Sequence, residues 1–589
     1  MIFLKHFRHY YIKYGFGFLL GVIILIGLDY YQLEIPRIIN EIITGVEDGV
    51  FTQISDIFGL LQLIIVIVIG MTLGRFLWRY LLFGNGRKIE TDIREQMFKK
   101  ATELSQDFYS HEKIGGLMSY FINDLNAVRE LFGFSLLTLI DGLFLGAFVL
   151  IRMFSLNWVM TLYAFIPIAL MGVLVFFLEL KMEKKFKLRQ EAFESMSDFT
   201  QESFTGITVI KAYVKEMYEA LTFGKRSKDV YDKSMEHMRY AVIVNIIIDV
   251  MITLVVLSIL VYGSVLIAYG NLNSGTMTEY ISYFFTLLWP VFAISWFMNL
   301  NGQAQASAKR IYKFLEAKVD ITNHKDVLVD VNLDGSISVK NLTFKYPDAD
   351  KPALEDVSFE IKAGEMIGVL GRTGSGKSTL VELFLRVYNT DYGMISFSGH
   401  DINDIYTKSL RNAIGYVPQD NFLYSDTIKN NIGFAFKEQL EDEKLIEIAK
   451  LSDVHDNIMD FQMKYETMLG ERGVTVSGGQ KQRISIARAL AKDPTILILD
   501  DSVSAVDTKT EDAIISNLRK IRKGRTTLMI AHRISTVKKL DKIILLENGK
   551  LIGFGSHKEL MKSNAVYQEM VKLQELEALV GEGEHHAWF

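Results

Sequence analysis

A chain of 589 residues is too long for one hydrophobic core, so at least two domains are expected. Hydrophobic residues make up 49% of the chain and charged residues 23%, and the mean hydropathy is +0.19. This mixture fits a membrane part joined to a soluble part. The net charge of −5 gives no indication of a nucleic-acid partner, and the lack of cysteine excludes disulfides, zinc–thiolate sites and thiol catalysis.

Long apolar runs occur in residues 1–316, the predicted membrane domain, and none follows residue 335. A bilayer core of about 30 Å needs about 20 apolar helical residues. The first run is not a cleavable signal peptide, because it is long, lacks an A-x-A site and is followed by further spans. Pro167 and Pro290 are expected to bend the fourth and sixth spans. The six predicted spans are about 15–40, 58–83, 134–155, 158–180, 241–270 and 277–300.

The charges of the loops orient these spans. Segments 41–57 and 271–277 contain no Lys or Arg, whereas segments 85–133 and 181–240 are rich in both. Because positively charged loops stay inside, the long loops, both chain ends and the soluble half should be cytoplasmic. The basic and aromatic start, MIFLKHFRHYYIKY, predicts a helix at the cytoplasmic membrane surface. A plain cytoplasmic start to the first span is the alternative.

A polar segment, residues 317–335, is predicted to be a linker between the halves. Beyond it, short apolar or alternating segments bounded by glycine, such as SFEIKAGEMIGVLG, indicate strands, and helical patterns follow. Residues 336–575 should therefore form an α/β domain, with residues 576–589 as a C-terminal tail.

The stretch GRTGSGKST follows the apolar strand MIGVL and begins a helical pattern, the context in which this phosphate-loop motif is meaningful. Its glycines let backbone N–H groups converge on an anion at a helix N-terminus. Lys377 should contact the β and γ phosphates, and Ser378 should ligate Mg²⁺. The motif predicts an ATP or GTP site formed by Gly371, Arg372, Thr373, Gly374, Ser375, Gly376, Lys377, Ser378 and Thr379.

The apolar segment TILILD supplies a second part of this site. It ends in Asp500, which is placed to hold the metal ion, and Asp501 follows where a base or water-orienting acid would lie. Alone, this segment would equally fit a core strand that ends in a capping Asp. The phosphate loop upstream favours the metal site.

The stretch VSGGQKQRISIARAL, with the phosphate loop, resembles the signature of ATP-binding cassette (ABC) proteins. With six spans, the chain resembles an exporter-type half-transporter over nearly its whole length: an α-helical membrane domain fused to an α/β P-loop nucleotide-binding domain. The resemblance implies that ATP is the nucleotide, that Tyr346 stacks on adenine, and that Gln419 senses the metal and the γ-phosphate. It also implies that His532 holds the γ-phosphate and that Mg²⁺ is bound by Ser378, Gln419 and Asp500. Packing roles for Tyr346 and His532 are the structural alternatives.

The signature residues Ser477, Gly478, Gly479 and Gln480 offer further backbone donors at a helix start. In the ABC family they face a partner's nucleotide, so two domains enclose two ATP molecules and a half-transporter must dimerise. By the same resemblance, GERG (470–473) contacts the membrane domain and SAVD (504–507) contacts the partner. Segments 108–133, with a turn around Gly115 and Gly116, and 202–216 resemble the coupling segments.

Family members usually carry Glu where this chain has Asp501. The side chain is one methylene shorter, and a misplacement of about 1 Å can cost about 10²-fold in rate. The other nucleotide residues are present, so ATP should bind while hydrolysis is slow. The pattern resembles the degenerate-site subunit of bacterial heterodimeric multidrug exporters, whose partner half-transporter carries Glu at this position. A homodimer in which Asp501 is an adequate base is the alternative.

Acidic residues within spans usually face a cavity, and aromatic faces attract cations. The candidates for a cavity that accepts small amphiphilic cations are Asp29, Asp141, Asp249, Trp289 and Trp296. Packing of the aromatic residues and pairing of the acids with Arg75, Arg79 or Arg152 are the structural alternatives. The predicted function is ATP-driven drug export across the lipid bilayer of the cell membrane. A lipid or glycolipid flippase and a nucleotide-gated channel or regulator remain open.

Overall fold

The computed structural model describes residues 7–112, 114–436, 440–470, 473, 475–502 and 508–586. The chain forms two compact units. The membrane unit comprises residues 1–100 and 115–316, and the nucleotide unit comprises residues 101–114 and 317–589.

Six helical segments of the described chain are long and apolar enough to cross a membrane, which confirms the six predicted spans. They are Gly15–Glu47, Ile54–Glu103, Ile114–Leu156, Trp158–Thr205, Glu216–Ala268 and Ser274–Leu315. Each extends beyond its apolar run, because the polar sequence that follows or precedes the run is also helical. Pro167 and Pro290 lie inside the fourth and sixth of these segments.

These segments consist of helices separated by short breaks. The helices up to residue 315 are α1 (His9–Lys13), α2 (Gly15–Gln32), α3 (Glu34–Glu47), α4 (Ile54–Glu103), α5 (Gln106–His111), α6 (Ile114–Ser119), α7 (Leu125–Glu130), α8 (Leu136–Ile140), α9 (Gly146–Leu156), α10 (Trp158–Thr205), α11 (Ile207–Ala212), α12 (Glu216–Ala268) and α13 (Ser274–Leu315). Helix α1 lies within the segment where the interfacial helix was predicted.

The third span contains π-helical turns at Tyr120–Asp124, Leu131–Ser135 and Asp141–Leu145. Such turns are rare and are often found at functional sites. The last of them begins at Asp141, one of the candidate cavity residues. The sequence also predicted a turn around Gly115 and Gly116, and this prediction was wrong. Both glycines lie inside α6, and the backbone leaves helical geometry earlier, at Glu112.

The nucleotide unit is an α/β fold with two sheets. Its strands are β1 (Ile337–Phe344), β2 (Leu354–Ile361), β3 (Met366–Leu370), β4 (Ile395–Phe397), β5 (His400–Asp401), β6 (Ile414–Val417), β7 (Ile496–Asp500), β8 (Thr526–Ile530), β9 (Lys542–Glu547) and β10 (Lys550–Gly555). Its further helices are α14 (Lys377–Phe384), α15 (Thr407–Ala413), α16 (Ile428–Ile432), α17 (Asp442–Leu451), α18 (His455–Met459), α19 (Gly478–Ala491), α20 (Thr508–Ile521), α21 (Ile534–Val537), α22 (His557–Ser563) and α23 (Ala565–His586). The segment 576–589 was predicted to be a C-terminal tail, and helix α23 continues through most of it.

The larger sheet has the strand order β10-β9-β3-β8-β7-β6, and its strands from β9 to β6 are parallel. Strands β3, β7 and β8 are completely buried, as expected for continuous apolar runs in a parallel sheet. The smaller, antiparallel sheet has the order β2-β1-β4-β5. Because the carboxyl ends of adjacent parallel strands lie at one edge, the segments after β3, β8, β7 and β6 come together there.

The predicted linker is irregular in structure but belongs to the nucleotide unit. Leu333 is buried in the core of that unit, and the Asn323 side-chain oxygen accepts hydrogen bonds from the backbone N–H and hydroxyl of Thr407. Helix α5 and the residues before it belong to the same unit: Ser105 donates to Asp320 over 3.0 Å, and His111 pairs with Asp348.

Candidate functional site

The edge of the larger sheet encloses a cavity of about 370 Å³. Most of the residues that line it lie at or just after the carboxyl ends of β3, β6, β7 and β8, the four adjacent parallel strands, and Tyr346 and Ala353 come from the connection between β1 and β2. The lining residues include most of the nucleotide residues predicted from the sequence: Tyr346, Thr373, Gly374, Ser375, Gly376, Lys377, Ser378, Thr379, Gln419, Asp500 and His532. Gly371, Arg372 and Asp501 are not among the lining residues.

The phosphate loop is built around glycine. Gly376 has a φ of +96°, and a side chain there would place Cβ 2.6 Å from Leu354 Cδ2 and 2.8 Å from the carbonyl oxygen of Ala353. Only glycine fits this backbone and this space. The turn leads directly into α14, so the first N–H groups of the helix point toward the cavity. The Ser375 hydroxyl is buried without a hydrogen-bond partner among the described residues, as expected of a donor that awaits a ligand.

Lys377 is held within this loop. Its ammonium donates to the carbonyl oxygens of Gly371 (2.8 Å) and Arg372 (2.9 Å). Burial lowers the pKa of Lys377, and the charges of Asp500 and Asp501 oppose that shift. The ammonium is bonded to neutral carbonyl oxygens, so exchanging these hydrogen bonds for bonds to an anionic ligand would be favourable.

The oxygen donors of the cavity suit Mg²⁺. Ser378, Gln419 and Asp500 all line it, and hydroxyl, amide and carboxylate oxygens are ligands that this hard cation prefers. Burial, reinforced by the neighbouring charge of Asp501, raises the pKa of Asp500 to about 6, while a hydrogen bond from Ser378 acts in the opposite direction. A divalent cation would compensate this buried charge. When bound, it would neutralise charge on the phosphates.

Asp501 occupies an unusual backbone position. Its φ is +46°, a region in which Asp and Asn are more common than longer residues. Its N–H donates to the carbonyl oxygen of Ile530 over 3.1 Å, and its carbonyl oxygen lies 3.5 Å from the Gln482 side-chain nitrogen. The backbone of Asp501 is thus tied to β8 and α19, so the reach of its carboxylate is set by side-chain length.

Tyr346 lines the same cavity and packs against aromatic neighbours. Its ring meets those of Phe344 and Tyr388 nearly at right angles, with centroids 5.1 and 5.2 Å away. Its hydroxyl donates to Glu382 (2.7 Å) and lies 2.9 Å from the Thr379 hydroxyl. Burial raises the pKa of Tyr346. Glu382 was missed from the sequence, although its i,i+3 spacing from Thr379 on the predicted helix was a signal for it.

The signature residues lie at the start of α19. The Ser477 hydroxyl accepts from the Gln480 N–H (3.3 Å), and the Gln480 side chain accepts from the Ser477 N–H (3.0 Å), which is a capping box. None of the four predicted signature residues lines the cavity described above. A side chain at Gly478 would meet nothing within 4 Å, so this helix start is open. Residues 471, 472 and 474, around GERG, and 503–507, with SAVD, lie outside the described residues.

A second cavity, of about 600 Å³, lies in the membrane unit. Asp29, Asp141 and Trp289 line it, and the Trp289 indole N–H donates to Asp141 over 2.7 Å. Trp296 is in edge-on contact with Trp289, with ring centroids 5.5 Å apart. The structure does not bring Asp249 to this group, because Asp249 is exposed on α12 and is not among the lining residues.

Of the arginines considered as partners for these acids, Arg75 and Arg79 line the same cavity as Asp29 and Asp141, and Arg152 does not. Arg75 donates to Gln32 over 3.3 Å, Arg79 lies 5.6 Å from the Trp78 ring, and Arg152 pairs with Glu34 at 2.5 Å. One oxygen each of Asp29 and Asp141 is buried without a hydrogen-bond partner among the described residues. A further acid that sequence reasoning missed, Glu279, accepts from Asn40 over 2.6 Å and from Tyr283 over 2.8 Å. Its position within the sixth span was the available signal.

Six helical segments that can span a membrane, fused to an α/β domain with a phosphate loop, are the architecture of a membrane transporter driven by a nucleotide. Two family models match the chain: the ABC transporter transmembrane region over residues 18–291 and the ABC transporter model over residues 354–504.

Relatives match the chain over almost its full length. It is 34% identical over 574 residues to the probable multidrug resistance ABC transporter ATP-binding/permease protein YheI of Bacillus subtilis. The aligned residues make up 97% of this chain and 96% of that protein. The chain is 35% identical over 559 residues to the multidrug resistance-like ATP-binding protein MdlA of Escherichia coli, covering 95% and 94%. The chain therefore belongs to the ABC transporter family.

The fold agrees with this membership. A solved structure of a bacterial Atm1-family ABC exporter with ATP bound superposes with a TM-score of 0.75 at 23% identity, covering 96% of this chain and 98% of that one. The chain is thus a multi-pass membrane protein with an ABC exporter fold and a cytoplasmic ATP-binding domain that drives export.

Proposed function

We propose that this chain exports amphiphilic drugs as one half of a heterodimer, and that its own ATP site, with Asp501 in place of Glu, is catalytically weak. The observation that carries the proposal is the position of Asp501. Its backbone is fixed by bonds to Ile530 and Gln482, and its side chain is not among those that line the nucleotide cavity. A residue that orients the attacking water must reach hydrogen-bond distance from it.

The rest of this site supports ATP binding. Lys377, Ser378, Gln419, Asp500 and His532 line one cavity. The residues expected to recognise phosphate and metal therefore share one cavity, and the residue proposed to act on water has a shorter side chain than Glu. This combination favours tight binding of ATP together with slow hydrolysis at this site.

The signature supports a partner. Ser477 to Gln480 lie away from this chain's own cavity, at an open helix start, so they are free to serve a nucleotide held by another subunit. A second half-transporter with Glu at the position that matches Asp501 would form the fast site with this signature. A homodimer would have two weak sites.

The membrane cavity supports an amphiphilic cation as substrate. Asp29 and Asp141 are buried, and each has an oxygen without a hydrogen-bond partner among the described residues, while Trp289 offers an aromatic surface beside them. The names of the relatives, which refer to multidrug resistance, agree with this class. Arg75 and Arg79 line the same cavity and would suit an anionic lipid headgroup, so a lipid flippase is the second candidate.

The proposal is tested by purifying the tagged chain from native membranes with gentle detergent and identifying its complex by intact mass. We expect a one-to-one complex with a second ABC half-transporter that has Glu at the matching position. ATPase stimulation of that complex by cationic drugs, and not by lipids, supports the drug exporter. A complex of two copies of this chain with exporter-like ATPase rates would contradict the heterodimer, and stimulation by lipids alone would favour the flippase.

A further inference from the structure

The last helix of the nucleotide unit is firmly attached to it. Tyr567 and Val571 of α23 are buried in the larger core, and the Tyr567 hydroxyl lies 2.7 Å from His557 Nδ1. At the start of α23, the Asn564 side chain accepts from the Tyr567 N–H over 2.9 Å. The backbone of α23 is therefore anchored to the nucleotide unit, and so are the Cα atoms from which the side chains of its next turns project.

Gln574 projects from α23 to the segment that contains His532. Its side-chain oxygen accepts from the Ile534 N–H over 2.7 Å, and its side-chain nitrogen donates to the His532 carbonyl oxygen over 2.7 Å. One amide thus holds the backbone on both sides of Arg533. This contact requires a donor and an acceptor on the same group, which an amide supplies and a carboxylate does not.

The other side of the same segment is also held. Glu511 on α20 is buried, accepts from the Thr536 hydroxyl and lies 3.6 Å from Arg533. Ile534 is buried between these contacts. His532 itself is exposed and lines the nucleotide cavity. The backbone from which the His532 imidazole projects is therefore held directly by Gln574, while Glu511 contacts the side chains of Arg533 and Thr536 further along the segment.

We propose that Gln574 is a positioning residue that holds His532 toward the γ-phosphate and thereby lets the site distinguish ATP from ADP. ADP has no γ-phosphate, so a contact at His532 contributes only to ATP binding. The inference goes beyond the proposed function, but it rests on the placement of His532 at the γ-phosphate. An imidazole that donates to a phosphate oxygen must come within about 3 Å of it, so a small backbone shift weakens the contact.

The test compares the dissociation constants of Mg–ATP and Mg–ADP for the purified full chain. We expect Gln574→Ala to weaken ATP about fivefold to twentyfold, the loss of one charge-assisted hydrogen bond, while ADP affinity is unchanged. Gln574→Glu keeps the acceptor for Ile534 but places a carboxylate oxygen against the His532 carbonyl oxygen, so it should weaken ATP at least as much as Gln574→Ala.

The matched control is Gln568→Ala. Gln568 lies on the same helix, and its side chain also donates to a backbone carbonyl, that of Met561, over 2.7 Å. This variant should leave the ratio of ATP to ADP affinity unchanged. His532→Ala serves as the reference and should change the ratio at least as much as Gln574→Ala.

An unchanged ratio in Gln574→Ala, beside a changed ratio in His532→Ala, would overturn the role of Gln574 and leave the proposed function intact. An equal loss of ATP and ADP affinity with a lower melting temperature would show that Gln574 only stabilises the fold. If His532→Ala also leaves the ratio unchanged, the placement of His532 is wrong and the inference fails with it.

Discussion

Replacing Asp501 by Glu should increase hydrolysis at this chain's own site. The backbone N–H of Asp501 is bonded to Ile530 over 3.1 Å, so the Cα position should be retained in the variant. One additional C–C bond moves the carboxylate forward by roughly 1.5 Å at most. A misplacement of about 1 Å can cost about 10²-fold in rate, which corresponds to about 2.7 kcal/mol in the barrier.

The expected gain is therefore up to about 10²-fold in the single-turnover rate of phosphate release from Mg–ATP bound to the purified chain, combined with its partner where one copurifies. The φ of +46° at this position suits Asp better than Glu, so the variant should be slightly less stable to unfolding. Asp501→Asn should leave the slow rate nearly as it is. Asp460→Glu, the same change at an exposed carboxylate of the same unit, is the control and should have no effect.

Two results would refute this reasoning. The first is a wild-type rate at this site that already equals that of typical exporters and falls sharply in Asp501→Asn, since Asp501 would then be an adequate base. The second is an Asp501→Glu variant that binds Mg–ATP normally and hydrolyses it no faster, since the reach of the carboxylate would then not limit the rate.

Three further predictions concern the two cavities. Lys377→Ala should lower ATP affinity by at least about tenfold, because it removes the cation of the phosphate loop; unchanged affinity in a titration would contradict the site. The pKa of Asp500 is raised by burial to about 6, so its carboxylate is charged above that pH and becomes protonated below it. The gain in ATP affinity that Mg²⁺ provides should thus be greatest near pH 7.5 and decrease as the pH drops through 6. ATP affinity measured in EDTA should change little over the same range. A gain from Mg²⁺ that is constant from pH 5 to 8 would refute this prediction. Asp141→Asn retains an oxygen that can accept from Trp289 but loses the charge, so it should raise the KM for transport of cationic drugs about tenfold and leave the KM for neutral drugs unchanged. Asp249→Asn, at an exposed position, is the control. Equal effects of Asp141→Asn on both drug classes would assign Asp141 a structural role.

Local patterns predicted the spans and the phosphate site. Each apolar run is long enough to cross a bilayer by itself, and GRTGSGKST specifies its own turn and helix start. The ends of the spans were harder to predict, because their charged extensions, such as the part of α10 up to Thr205, are helical without being apolar. Gly115 and Gly116 suggested a turn, yet they lie in α6, where the cost of a helical glycine is only about 1 kcal/mol each.

Contacts between distant parts of the chain could not be predicted. Gln574 and His532 are separated by 42 positions, and no spacing rule connects a polar residue of the last helix to the end of β8. Asp141 and Asp249 are the same residue type within predicted spans, yet one lines a cavity and the other is exposed. A sequence pattern shows that an acid lies within a span, but tertiary packing decides which side of the helix it occupies.

The most direct test of the weak site and the obligate partner is the activity of this chain alone. The purified chain, without a second half-transporter, is reconstituted in proteoliposomes, and ATP hydrolysis is measured together with uptake of a cationic drug. We predict that it binds Mg–ATP, hydrolyses it slowly and does not transport, and that addition of the partner half-transporter restores both activities. Drug uptake and hydrolysis by the chain alone, at rates typical of exporters, would contradict the proposal.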